Sequence, residues 1–205
     1  MVRRSLIISA AAAALVFPAT AGAVPRQINV RDDFFSPRSP AARNFSPGPS
    51  FRWQSVPAAF SDHNVRQDDR LFFSGAPTDP LNFRINASAG SYHYYCTLHG
   101  SRQGGMAGRV KVRPIAVPAS TGGEIKIRWA NADTNTGSRF DVRYKVDQRR
   151  WNTWKNDTRA FHAAFGHNDR PVNYRPNRHN YKIKVRSERR KVKKRSDWSP
   201  VLRFG

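Results

Sequence analysis

Between Tyr92 and Val112 the chain reads YHYYCTLHGSRQGGMAGRVKV. Cys96 is the only cysteine, and two residues separate it from His99. Six residues then lead to Met106, and three of them, Gly100, Gly104 and Gly105, are glycine. A turning, glycine-rich loop can bring a thiolate, an imidazole and a thioether to one point. His63, in Asp62-His63-Asn64-Val65, lies upstream and is placed to add a second imidazole. Two imidazoles, one thiolate and a weak axial thioether make up the donor set of a mononuclear Cu(I)/Cu(II) electron-transfer site. Zinc more often recruits further cysteine, histidine or carboxylate ligands. A lone cysteine also has blander readings, as an inert buried thiol or half of an intermolecular disulfide. The spacing of the other donors around Cys96 favours the ligand. His93 alternates away from Cys96 along the same segment and is expected outside the metal site.

Short extended segments must carry these residues. Gln27 to Arg31, Phe51-Arg52-Trp53, Leu81 to Ile85 and Tyr92 to Cys96 read as strands, with Gly, Pro, Asp and Asn marking the turns. Arg109-Val110-Lys111-Val112 alternates as another strand and leads into Arg113-Pro114-Ile115-Ala116-Val117-Pro118. Its two prolines predict a short, stiff linker. Beyond it, Ile125, Ile127 and Trp129 share one face. Phe140, Val142, Tyr144 and Val146 repeat the pattern, as do Tyr181, Ile183 and Val185. Charged residues fill the alternate positions, so each strand is read as covered on one side only. His162, His167 and His179 fall among turn-like residues and are expected in solvent.

Residues 26–113 resemble the plastocyanin-type cupredoxins. The likeness rests on Phe35-Ser36-Pro37, Trp53, His63-Asn64-Val65, Phe73-Ser74-Gly75, Tyr95-Cys96-x-x-His99 and Gly105-Met106-x-Gly108, in the family's order. It implies a Greek-key β-sandwich with one copper ion at one end, held by His63, Cys96, His99 and Met106. It also implies that Asn64 ties the two ligand loops together beside the Cys96 sulfur. The His99–Met106 spacing is longer than in plant plastocyanins, which makes Met106 the ligand least fixed by the resemblance. Residues 115–205 resemble a fibronectin type III module through Ile125-x-Ile127-x-Trp129, Phe140-Asp141-Val142-Arg143-Tyr144, Trp151-x-x-Trp154, Tyr181-x-Ile183-x-Val185-Arg186 and Trp198-Ser199-Pro200. That implies an immunoglobulin-like β-sandwich with Trp129 in the core, a tyrosine corner at Tyr181, and the Phe140 strand beside the Tyr181 strand.

The expected organisation is all-β: a signal peptide over 1–23, a copper-binding domain over 24–113 and a fibronectin type III-like domain over 114–205. Arg3-Arg4, the apolar run Leu6 to Phe17 and Ala21-Gly22-Ala23 have the layout of a secretory signal cleaved near Ala23. Arg3-Arg4 before Ser5-Leu6-Ile7 also loosely matches a twin-arginine signal. The run is too short to span a bilayer, and no later segment reads as a transmembrane helix.

The formal net charge of +22 is uneven. Residues 24–113 carry 12 basic and 6 acidic residues, and residues 114–205 carry 22 and 8. Arg143, Lys145, Lys182, Lys184 and Arg186 are expected to form a cationic face in which Trp198 stacks, extended by Arg189, Arg190, Lys191, Lys193, Lys194 and Arg195. An anionic cell-wall polymer or an acidic protein fits that face, whereas nucleic acid does not fit an exported chain.

The sequence therefore reads as a secreted or extracytoplasmic blue-copper protein that carries single electrons to a redox partner. The alternatives are a copper-holding protein and an extracellular adhesion protein that grips anionic polymers. No catalytic residues are assigned. The His-x-His pairs of multicopper oxidases are missing, and no triad-like constellation stands out.

Overall fold

In the computed structural model the described residues are 24–43, 48–57, 59–119, 124–134, 136–137, 139–166, 172, 174–175, 177–189 and 194–205. Residues 1–23, read above as a signal peptide, His167 and the basic residues Arg190, Lys191 and Lys193 lie outside them. Among the described residues there are strands and turns and no helix.

Two sheets enclose the first core. Sheet A has the order β2-β1-β4-β6, from β1 (Arg26–Val30), β2 (Phe35–Ser36), β4 (Ser50–Ser55) and β6 (Asn82–Asn86). Sheet B has the order β3-β8-β7-β5, from β3 (Ala41–Arg43), β5 (Arg66–Gln67), β7 (Gly90–Ser101) and β8 (Gly104–Arg113). Alternation sends Ile28, Val30, Phe51, Trp53 and Ile85 of sheet A and Tyr92, Tyr94, Cys96, Met106, Val110 and Val112 of sheet B into one buried cluster. Trp53 is its centre, with the rings of Tyr94, Phe72 and Phe83 packed 5.1–5.8 Å away. Fully burying one such side chain stabilises the fold by about 1.5–3 kcal/mol.

The second core lies between sheet C, of order β13-β10-β9, and sheet D, of order β12-β11-β14-β15 with β16 also on β14. Their strands are β9 (Ile115–Pro118), β10 (Ile125–Arg128), β11 (Arg139–Val146), β12 (Asn152–Thr158), β13 (His162–Phe165), β14 (Tyr181–Arg189), β15 (Lys194–Arg195) and β16 (Leu202–Phe204). The Phe140 and Tyr181 strands do pair, antiparallel, with Val142 opposite Val185 and Tyr144 opposite Ile183. Trp129 is fully buried and donates from its indole N–H to the Ala160 carbonyl at 2.7 Å. The Tyr181 hydroxyl accepts the Arg175 N–H at 3.0 Å, six residues upstream. His162 belongs to β13 and not to a turn, and it is exposed there.

The expected linker is shorter than its prolines suggested. Arg113 ends β8 and Ile115 begins β9, so Pro114 alone separates the strands. The two halves also bond to each other. Ser91 and Asp197 exchange backbone hydrogen bonds of 3.1 and 2.9 Å, and Arg109 pairs with the Asp197 carboxylate. Beneath them Ser88, Tyr92, Thr136 and Ser187 form a buried hydroxyl cluster, with Ser88 Oγ 2.6 Å from Ser187 Oγ and 2.8 Å from Thr136 Oγ1. The Tyr92 hydroxyl and Ser187 Oγ lie 2.9 Å apart, and Ser187 Oγ donates to the Ala89 carbonyl. Every hydroxyl in the cluster has a partner, which is the condition for a buried polar network to rigidify a junction. Gly90 is required here, because a Cβ would sit 2.7 Å from Ser196 Oγ and 2.8 Å from the Tyr92 ring.

Candidate metal centre

The site is built on an irregularity in the pairing of β7 with β8. Tyr95 pairs with Ala107, and the next pair is Gly100 with Gly105. Four residues of β7, Cys96 to His99, therefore bulge opposite the single residue Met106. Such a bulge re-aims side chains that a regular strand would send to alternate faces. The glycine-rich segment is thus an extended hairpin and not an open loop. It turns at Arg102-Gln103, and its ladder pairs Ser101 with Gly104. Gly105 has φ +77°, and a Cβ on it would lie 2.6 Å from the His99 carbonyl oxygen, so glycine is needed on both counts.

The third donor arrives from the segment between β4 and β5. His63 is pinned by two backbone bonds to Thr78, of 3.1 and 2.9 Å. Asn64, next to it, reaches across to the bulge. Its Oδ1 accepts the Thr97 N–H at 2.8 Å, and its Nδ2 donates to Thr97 Oγ1 at 2.9 Å and to the Gly75 carbonyl at 3.1 Å. One buried amide thus locks the His63 segment to the strand that carries Cys96 and His99.

These supports converge three donors. Cys96 Sγ lies 3.6 Å from His99 Nδ1, which lies 3.2 Å from His63 Nδ1. All three ligand atoms fall within 4.8 Å of one another. Cys96 and His63 are fully buried and His99 is half-buried. The convergent cluster holds His63, Cys96 and His99. Met106 is buried in the same core as Cys96, and its backbone lies opposite the bulge between the Gly100–Gly105 and Tyr95–Ala107 pairs. His93 takes no part and instead bonds through Nδ1 to Asp68 at 2.8 Å.

Two residues not singled out in the sequence orient His63. Ser61 Oγ donates to Asp32 Oδ1 at 2.9 Å, which uses its only hydrogen. It must therefore accept from His63 Nε2, 3.2 Å away. That assignment puts the His63 proton on Nε2 and leaves a bare lone pair on Nδ1, facing the other two donors. Outer contacts of this kind commonly fix the tautomer of a metal-ligating histidine. Burial, and after it the nearby His99, pushes the His63 imidazole below its ordinary value against the pull of Asp32, Asp79 and Asp62. A neutral ring is the form that ligates. Asp32 itself is held below the ordinary carboxylate value, chiefly by the Phe60 N–H and the Ser61 hydroxyl. Asp32 stands 29 residues before Ser61, and no local sequence pattern links the two.

The arrangement fits a soft metal ion. An ion about 2.0–2.1 Å from each imidazole nitrogen and 2.3 Å from a thiolate sets those donor atoms roughly 3.3–3.8 Å apart. Two of the three separations, 3.2 and 3.6 Å, are close to that spacing, and the third lies within 4.8 Å. The chain matches no family model and none of the curated proteins.

Proposed function

We propose that residues 24–113 form a cupredoxin-like domain in which His63, Cys96, His99 and Met106 hold one copper ion, and that the protein is a secreted one-electron carrier. The convergence of two imidazoles and the chain's one cysteine sulfur on one buried point carries this reading. The donor set, with a thioether nearby, is that of blue-copper centres, and copper there would supply a reversible one-electron couple. The chain's own part is to hold the donors still. The bulge and Asn64 fix their spacing, and Ser61 fixes the His63 tautomer. The Trp53 core excludes water on the inner side, and a cage that does not rearrange keeps the reorganisation cost of electron transfer low.

The surface beside the site suits a transient partner. His99 is the most accessible of the three strong donors, so its ring is the route between the buried sulfur and a docked protein. Leu98, within the bulge, is 59% exposed, and Phe60, on the segment leading to His63, is 85% exposed. Exposed apolar side chains around a polar tip favour brief docking with a redox partner.

Voltammetry of the copper-loaded protein tests the function. We expect a reversible one-electron wave and fast self-exchange. Tight copper binding with no reversible wave would favour a copper-holding protein.

A second element of function is proposed for sheet D. Arg143, Lys184 and Arg186 lie 4.9–5.0 Å from the Trp198 ring, and Lys184 also lies 4.4 Å from the Trp151 ring. This cationic, aromatic face supports adhesion to an anionic cell-wall polymer. Retention on such a polymer should weaken as salt rises, and salt-independent retention contradicts the assignment.

A further inference from the structure

The outer face of sheet B presents Arg109, Lys111 and Arg113 at alternate positions of β8. The fold neutralises the first of these through Asp197. Lys111 and Arg113 have no carboxylate partner among the described residues. Strand β3 runs parallel beside them, with Ala41 opposite Lys111 and Arg43 opposite Arg113. Two arginines directly across a strand pair repel each other and destabilise it. Arg26, at the start of β1, adds a fourth cation. The four line one open groove of about 470 Å³, with Ala42 and Pro200 among its apolar walls. Among the described residues no aspartate or glutamate lines it. Pro200 comes from the second half of the chain, so the groove lies where the two halves meet.

This volume falls within the range of small-ligand pockets, about 300–1,000 Å³. Guanidinium groups present paired N–H donors that match phosphate and carboxylate oxygens. The groove is remote from the metal centre. Arg113 stands seven residues along β8 from Met106, about 23 Å at 3.3 Å per residue.

We propose that this groove binds a compact oxyanion carrying three or more negative charges, of the oligophosphate or polycarboxylate class. The bound anion relieves the repulsion between Arg43 and Arg113 and spans the junction of the two halves. It is independent of the copper reading and distinct from the polymer-facing surface of sheet D.

Titration calorimetry of the full exported chain with tripolyphosphate, and separately with citrate, tests the site. The variants are R43Q/R113Q and, as a control of equal charge loss, K145Q/K182Q on sheet D. We expect one saturable site for at least one probe, and the probe that binds more tightly assigns the class. R43Q/R113Q should weaken it at least ~30-fold, in line with losing two charge-assisted contacts, while K145Q/K182Q changes it less than about 3-fold. Thermal melting supplies a second readout. Without anion, R43Q/R113Q should melt no lower than the parent, because a like-charge pair is gone. With the binding probe, only the parent and K145Q/K182Q should rise in Tm. Equal weakening by both double variants would show diffuse charge attraction and overturn the site, as would no saturable binding of either probe. The single variant R26Q gives the same test should R43Q/R113Q fold poorly, and unchanged affinity in it overturns the four-cation groove.

Discussion

Replacing Asn64 with alanine should loosen the metal centre without touching a ligand. Asn64 is 1% exposed and makes three hydrogen bonds, to Thr97 N, Thr97 Oγ1 and the Gly75 carbonyl. A typical protein hydrogen bond contributes about 1 kcal/mol net, and a buried group left unpaired costs about 1–3 kcal/mol. Three lost bonds with partly stranded partners therefore amount to about 3 kcal/mol. At a urea slope of about 1–3 kcal/mol per molar, the unfolding midpoint of the metal-free protein should fall by roughly 1–3 M. Asn64→Asp keeps an acceptor for the Thr97 N–H but turns a buried carboxylate oxygen toward the Gly75 carbonyl, so at neutral pH it should be at least as destabilising as alanine. Copper affinity should drop along the same series, because the amide joins the His63 segment to the Cys96–His99 bulge. Urea titrations followed by tryptophan fluorescence, with competitive copper titrations alongside, measure both effects. A midpoint change in Asn64→Ala corresponding to less than about 0.5 kcal/mol would refute the role assigned to these three bonds.

Three further outcomes are expected. Ser61→Ala removes the acceptor for His63 Nε2 and the hydroxyl that donates to Asp32, so it should weaken copper binding about 10- to 100-fold and destabilise the metal-free protein by about 1–3 kcal/mol; equal affinity would show that Ser61 does not set the tautomer. Trp198→Ala removes a ring that touches three cations, including the directly opposed pair Arg143 and Lys184, and at about 0.5–1 kcal/mol per contact should cost about 1.5–3 kcal/mol by denaturant titration, with no loss contradicting the stack. The Asn180 N–H, and after it the His179 ring, hold the Asp147 carboxyl below its ordinary 3.8. That stabilisation is present above the ordinary value and is lost as pH falls through the depressed one. Asp147→Asn, tolerated at φ +51°, should therefore lose stability at pH 7 and lose less than the parent between pH 7 and pH 3; identical pH profiles would contradict the pairing.

How much of this was legible in the sequence depends on the range of the interaction. Period-two alternation in Phe140–Val146 and Tyr181–Val185 located β11 and β14, because a sheet covered on one side prints its burial directly into the sequence. The meeting of Cys96, His99 and His63 at one point was legible because few other roles place those side chains at such spacings. The bulge was not. Glycines between His99 and Met106 suggested a loop, yet they serve a tight hairpin whose carbonyls approach too closely for a Cβ. The Asp32–Ser61–His63 chain and the Ser88–Ser187 contact join residues 29 and 99 positions apart. Nothing local marks such pairs. Pro114 and Pro118 were read as marking a short, stiff linker, whereas the hydroxyl cluster at Tyr92 and the Ser91–Asp197 bonds hold the halves together.

The most direct test is the visible spectrum of the purified protein during titration with Cu(II), beside that of Cys96→Ser. We expect an intense thiolate-to-copper absorption that saturates at one ion per chain, bleaches on reduction and is missing from the serine variant. Stoichiometric copper binding without that band, or a band that survives the loss of Cys96, would contradict a thiolate-bound copper centre.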